Sequence, residues 1–183
     1  VLLLQKYQDD LYQIDSYYRW FYRAFDQIEE NEKYMQVRER IENIYANDYL
    51  LQMVPKWNAI FDDQAESTFD QCGLVRQDRF FSHYLHAYDG KERIIVIISD
   101  ALRYECAKEL MTKLDMDEKC QASIEGMVGV LPSVTSMGMA SLLPHKEMNV
   151  DEHMNVTVDG LSCIDTPSRD KILKAKNPDN IAI

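Results

Sequence analysis

The sequence predicts an α/β protein in which an N-terminal helical, aromatic-rich segment is followed by the first part of an open sheet domain. Three observations predict it. Residues 1–89 hold ten of the eleven tyrosines, both tryptophans and all six phenylalanines, with one glycine, Gly73, and one proline, Pro55. Arg93-Ile94-Ile95-Val96-Ile97-Ile98-Ser99 is a nearly continuous β-branched run, the pattern of a strand buried on both faces of a parallel sheet. That run ends on a lone carboxylate, Asp100, and the helix-forming stretch Leu102 to Leu114 follows it, the order of an α/β unit. The shift in composition puts a domain boundary near Asp89-Gly90-Lys91, giving a helical domain over 1–89 and an α/β domain over 90–183.

Within the first segment Leu4, Tyr7, Leu11, Ile14, Tyr18, Phe21, Phe25 and Ile28 recur at alternating spacings of three and four, the seam of a long amphipathic helix. Asn31 interrupts the pattern. Tyr34, Val37, Ile41, Ile44 and Leu51 restart it, so a second long helix is expected to pack antiparallel to the first. Pro55 is expected to end or kink that helix, with a third over Lys56 to Phe69. Aromatic rings at seam positions point to a packed core, because a base-stacking surface also needs a basic groove that this acidic segment lacks. Residues 1–70 therefore read as a helical packing or interaction domain, followed by a turn over Gln71 to Val75 and a helix over Arg79 to Tyr88. His83 and His86 stand three apart on that last helix, yet nothing like the carboxylate of an HExxH pair accompanies them, and surface or packing histidines are expected.

Beyond Asp100, Ser123 to Leu131 reads as another strand, Pro132-Ser133 as a turn and Thr135 to Leu143 as a short helix. Asn155 to Val158 reads as an edge strand closed by the turn dipeptide Asp159-Gly160. Thr166 followed by Pro167 reads as a helix start, with Thr166 as the cap. Glu105 is expected to face solvent beside Lys108 or Lys113. Arg169, Lys171, Lys174 and Lys176 would lie along one short helix, as a local basic patch or as a solvated face.

A chain of 183 residues with 46% hydrophobic content can bury a real core. A net charge of -11 argues against wrapping nucleic acid with the whole surface, since duplex binding rests on Lys and Arg contacts to phosphate. No apolar stretch approaches the length of a membrane span and no charged-then-apolar leader opens the chain. Cys72, Cys106, Cys120 and Cys163 lie far apart without zinc-finger spacing, and read as free thiols in a reducing cytoplasm. The opening Val1 and the strand-like Asn180-Ile181-Ala182-Ile183 suggest a fragment of a longer polypeptide.

Two blocks carry the chemistry. Ligands of open α/β sheets sit at the carboxyl ends of strands, where Asp100 falls. Thr135 falls at or near a helix N-terminus, whose N–H groups and dipole favour an anion such as phosphate. Asp, Thr and Ser also cap helices routinely, so Asp100 and Thr135, or Ser133, are equally placed as N-caps.

The blocks ISDALRYE and LPSVTSMGMASLLP resemble the PglZ domain of BREX phage-defence systems, a branch of the alkaline phosphatase superfamily, and the similarity runs on through VDGLSCIDTPSRDKIL. More distantly they are similar to the nucleotide pyrophosphatase/phosphodiesterase branch, with its D-G-[FY]-R and P-T-K-T-F-P-N-H patterns. The resemblance implies an alkaline-phosphatase-like fold, Asp100 as a metal ligand, Arg103 in the arginine position and Thr135 as nucleophile and ligand. Ala101 stands where the pattern has glycine, and Ser136, Met137 and Met139 stand where it has Phe, Pro and His. It further implies a hydrolase with two divalent ions, zinc or manganese, acting on a phosphomonoester, a phosphodiester or nucleic acid beside other proteins of the defence system. Arg103 would steady a phosphate oxygen or anchor its helix by pairing with a carboxylate. His145, His153 and Asp159 match no ligand position of the family. The competing reading is a degenerate phosphatase fold retained as a protein-interaction scaffold.

Overall fold

The computed structural model describes residues 2–61, 72–88 and 93–183, so the expected junction at Asp89-Gly90-Lys91, the residue Gln71 and the far end of the expected third helix lie outside the described residues. Two compact units form. One comprises Val1–Gly73 with Ala101–Gly126, the other Leu74–Asp100 with Met127–Ile183. This grouping differs from a single division at residue 90, because the helix after Asp100 packs on the N-terminal helices.

In the first unit α1 (Leu2–Lys6), a π-helical turn (Tyr7–Leu11) and α2 (Tyr12–Phe25) follow without a break. After residues 26–30, a 3-10 turn (Asn31–Tyr34) leads into α3 (Met35–Asn43), a second π-helical stretch (Ile44–Leu50) and α4 (Leu51–Phe61). The interruption lies where the apolar spacing breaks. Tyr45 donates to Asp15 at 2.7 Å, the Tyr18 and Tyr45 rings stack at 3.7 Å, and Arg38 lies over Tyr22 and Phe25. Partners on the second segment descend as those on the first ascend, which is the antiparallel arrangement. Pro55 does not end the helix: α4 continues through it from Leu51 to Phe61, giving up the one backbone donor that proline lacks.

Against α2 packs α5 (Tyr104–Leu114). Its anchor is Glu105, which corrects the solvent-facing expectation: the side chain is 2% exposed, pairs with Arg19 at 2.9 Å and lies 3.3 Å from the Tyr7 hydroxyl. A carboxylate this buried needs a charged and hydrogen-bonded surround, and residue types far back in the chain supply it. Tyr7 donates its single hydroxyl hydrogen at 2.6 Å to Asp15, which also accepts from Tyr45. Burial first, and then the bond to Asp15, push both phenols well above the ordinary tyrosine range. Trp20 and Tyr104 complete the packing, Trp20 by an indole N–H to Glu109 at 3.1 Å and Tyr104 by an edge-on contact with Tyr12.

In the second unit β1 (Val75–Arg76) pairs in parallel with β2 (Met127–Val128). Val75 thus belongs to a strand rather than to a turn, and of Ser123 to Leu131 only two residues enter a ladder. Between β1 and residue 88 the chain takes 3-10 and π-helical turns, with His83 and His86 exposed. Arg93–Ser99 is a larger departure. It forms no ladder with described residues and its apolar side chains are exposed, Ile95 by 74% and Ile97 by 87%. A strand buried on both faces needs a neighbour on each edge and a layer on each face, and among the described residues this run pairs with neither.

The core of this unit joins α6 (Thr135–Ser141), the antiparallel sheet β3 (Met148–Val150), β4 (Val156–Val158) and β5 (Leu161–Ser162), and α7 (Thr166–Lys176). Met137, Ala140, Leu143, Val156, Val158, Cys163 and Ile172 are buried together. The segment read as an edge strand, β4, is central, paired with β3 and β5. Asp159 and Gly160 both take positive φ, the two-residue turn that matches the twist of a hairpin between Val158 and Leu161. The cap of α7 is Asp165, accepting from the Ser168 N–H at 2.8 Å, rather than Thr166. All four cysteines are free, Cys72 and Cys163 buried. No helix among the described residues is long and apolar enough to cross a membrane.

Candidate functional site

Asp100 follows directly on the apolar run and Thr135 opens α6. Chain positions 35 residues apart meet here, with the Thr135 hydroxyl donating to Asp100 Oδ2 at 3.3 Å and both side chains exposed. Neither residue caps a helix. Val134 occupies the N-cap of α6 and Arg103 that of α5, both in extended conformation and neither with a side-chain cap bond. Capping therefore does not account for Asp100, Thr135 or Ser133. Ala101 leaves the carboxylate with φ 55, a left-handed conformation that glycine adopts without a Cβ penalty. The alanine that stands where the D-G-[FY]-R pattern has glycine takes a glycine's backbone.

The pair can be tested as a piece of a metal site. Zinc–oxygen bonds of about 2.0–2.2 Å in a tetrahedron place two ligand oxygens about 3.3–3.6 Å apart. The observed 3.3 Å lies at that separation and is long for an O–H···O bond, whose usual length is about 2.7–2.8 Å. Two oxygen donors thus stand as one ion would use them. Among the described residues, however, no group of three or more His, Cys, Asp or Glu side chains could hold a metal.

The remaining candidates have local roles. Arg103 belongs to the helical unit, where its charge acts on the Tyr45 phenol. Asp159 accepts from the backbone N–H groups of Glu147 at 2.8 Å and Lys146 at 3.0 Å, bonds that hold its carboxyl below the ordinary range. His145 Nδ1 lies 2.7 Å from the Leu143 carbonyl, which can only accept, so that nitrogen carries the hydrogen. His153 is exposed beside Glu152. In the basic stretch Arg169 donates to the Cys163 and Ile164 carbonyls and Lys174 pairs with Asp170, which leaves less than a continuous patch. Sequence reading passed over Gln77, whose amide contacts both sides of the Thr135 segment; a lone glutamine in a connection carries no motif.

Residues 82–183 match the family described as the BREX system PglZ alkaline phosphatase-like domain. The chain belongs to the PglZ family. The matched span contains Asp100 and Thr135 and leaves out β1 and Gln77. The chain is 40% identical over 182 residues to "Alkaline phosphatase-like protein PglZ" of Bacillus cereus, covering 99% of this chain and 21% of that protein. It is 34% identical over 177 residues to "Alkaline phosphatase-like protein BrxZ" of Escherichia coli, covering 92% of this chain and 20% of that protein. The chain thus spans about a fifth of the length of the curated relatives it matches. No solved structure matches it. The exposed Ile94–Ile98 run lies within the PglZ match.

Proposed function

We propose that the protein carrying this chain is a metal-dependent phosphoesterase, a phosphatase or phosphodiesterase, working in the cytoplasm with other proteins of a BREX defence system. The observation that carries the reading is the approach of Thr135 Oγ1 to Asp100 Oδ2 between two segments of a PglZ domain. The Asp100 carboxylate stands 3.3 Å from the hydroxyl oxygen, within reach of the proton that Thr135 must give up as it attacks. Thr135 is the nucleophile, its Oγ forming a bond to phosphorus as the ester oxygen leaves, and water then hydrolyses the phosphothreonine. Asp100 and Thr135 are the residues of this chain that would hold a divalent ion, and Arg103 is carried as a phosphate contact by resemblance alone. When bound, zinc or manganese, two ions in the reading the superfamily suggests, supplies the Lewis acidity that makes an ordinary hydroxyl a competent nucleophile at neutral pH.

The test uses the full-length protein and chromogenic phosphomonoesters and phosphodiesters. Thr135→Ala is expected to abolish turnover while changing stability by less than about 1 kcal/mol, since no cap bond is lost. Retained activity in Thr135→Ala with loss in Ser133→Ala would move the nucleophile, and a wild-type protein inert toward every phosphoester but still bound to its defence partners would favour the scaffold reading.

A further inference from the structure

We propose that Gln77 is a positioning residue that fixes the place of the Thr135 hydroxyl, an assignment that rests on the reading of Thr135 as nucleophile. Its amide is used at both ends. Gln77 Oε1 accepts from the Val130 N–H at 3.2 Å, and Gln77 Nε2 donates to the Gly138 carbonyl at 3.1 Å. Val130 lies just past the end of β2, five residues before Thr135, and Gly138 lies in α6, three residues after it. One side chain therefore brackets the segment that presents the hydroxyl.

The chemistry of the bracket selects glutamine. A backbone N–H can only donate and a carbonyl can only accept, so the bridging group must offer an acceptor and a donor on one short planar unit, and a carboxamide does. It also fixes the amide's orientation, since the flipped form would set donor against donor and acceptor against acceptor. The amide lies against the backbone of Gly129 and Gly138, where an added Cβ would make only ordinary van der Waals contact with it, at 3.5 and 3.6 Å, so the bracket rests on the two hydrogen bonds. The Gly138 carbonyl receives a second side-chain bond at 2.8 Å from Ser141, which is fully buried. Gln77 follows directly on β1, whose parallel pairing with β2 sets the distance from which the amide reaches.

Thr135, by contrast, is exposed and belongs to a seven-residue helix with no side-chain cap. A helix this short has little stiffness of its own, so its entry is held by what grips its backbone. Misplacement of a reacting group by about 1 Å can cost on the order of 100-fold in rate. Loss of the bracket is therefore expected to act on the chemical step more than on substrate binding.

The test is made on the full-length protein. Hydrogen exchange read on peptides covering residues 127–143 should show faster exchange at Val130 and through the first turn of α6 in Gln77→Ala, whereas unchanged exchange there overturns the bracket. Steady-state kinetics on a chromogenic phosphodiester or monoester should show kcat lowered about 10- to 100-fold with KM within about twofold. Faster exchange with an unchanged kcat, or a loss that appears only in KM, overturns the positioning role. Gln77→Glu guards against a variant that merely folds poorly. Its ionised carboxylate keeps the acceptor but opposes the Gly138 carbonyl, while its protonated form restores both donor and acceptor. Its kcat relative to wild type should rise as pH falls through the pKa of that carboxyl, ordinarily about 4.3 and higher beside a carbonyl oxygen. A ratio independent of pH counts against the proposal. If Thr135→Ala stays active or the wild type shows no turnover, the reading of Thr135 fails and this role fails with it, while the exchange result still decides the bracket.

Discussion

Ala101 shows at the scale of one residue how a departure from a motif is absorbed. The residue after Asp100 must turn the chain through φ 55, and an L side chain there carries a strain of about 1–2 kcal/mol. Glycine would relieve that strain at a conformational-entropy cost of about 0.5–1 kcal/mol in the unfolded chain. Ala101→Gly is thus expected to stabilise the protein by up to about 1 kcal/mol, measurable as a shift of the urea midpoint at constant slope. Asp159 gives a second residue-scale expectation, this time in pH. Backbone N–H bonds from Glu147 and then Lys146 depress its folded pKa, so its contribution is present above the ordinary Asp value of about 3.9 and is lost as pH falls through the lower folded value. Asp159→Asn should flatten that acid limb of an unfolding-versus-pH curve, and an unchanged limb would assign it to other carboxylates.

Elements were legible in the sequence where local spacing decides them. The seam read from Leu4 to Ile28, helical as far as Phe25, the break near Asn31, α6 from Thr135 and the Asp159-Gly160 hairpin turn all depend on near neighbours. Asp100 and Thr135 were singled out by the family resemblance, since position alone left them open as helix caps; the structure brings their side chains within 3.3 Å of each other although the strand expected before Asp100 forms no ladder with described residues. What failed depends on distant partners. Nothing near Glu105 announces that Arg19 and Tyr7 will bury it, and nothing in VTV tells a central strand from an edge one until β5 pairs with it. The cap of α7 was a near miss of one position, because Asp165 and Thr166 both suit an N-cap and only the extended backbone of Asp165, with its bond from Ser168, decides between them. Asp165→Ala should therefore cost about 0.5–2 kcal/mol. Thr166→Ala should change stability by less than about 0.5 kcal/mol, and thermal unfolding of the two variants side by side separates the assignments.

At the scale of the whole molecule, a parent enzyme and this 183-residue chain need not share an activity. The chain spans about a fifth of its relatives' length, and its described residues bring two oxygen donors together, whereas a zinc ion alone takes about four ligands. An ion held by one exposed carboxylate and a neutral hydroxyl keeps most of its water and gives little help in ionising the nucleophile. The 183-residue chain is therefore expected to bind zinc or manganese no more tightly than a solvent-exposed carboxylate does, and to hydrolyse no phosphoester above buffer. The same chain exposes Ile94 to Ile98 as an uncharged, β-branched run that pairs with no described residue, which favours association through edge pairing. Sedimentation of the 183-residue chain should show concentration-dependent self-association, reduced when Ile95→Lys and Ile97→Lys are introduced together. Titration calorimetry with each metal, paired with a phosphoesterase assay on the same sample, decides the other half. Two ions bound tightly with measurable turnover would mean that side chains assigned local roles above, His145, His153 or Asp159 foremost, rearrange to complete the shell around Asp100 and Thr135.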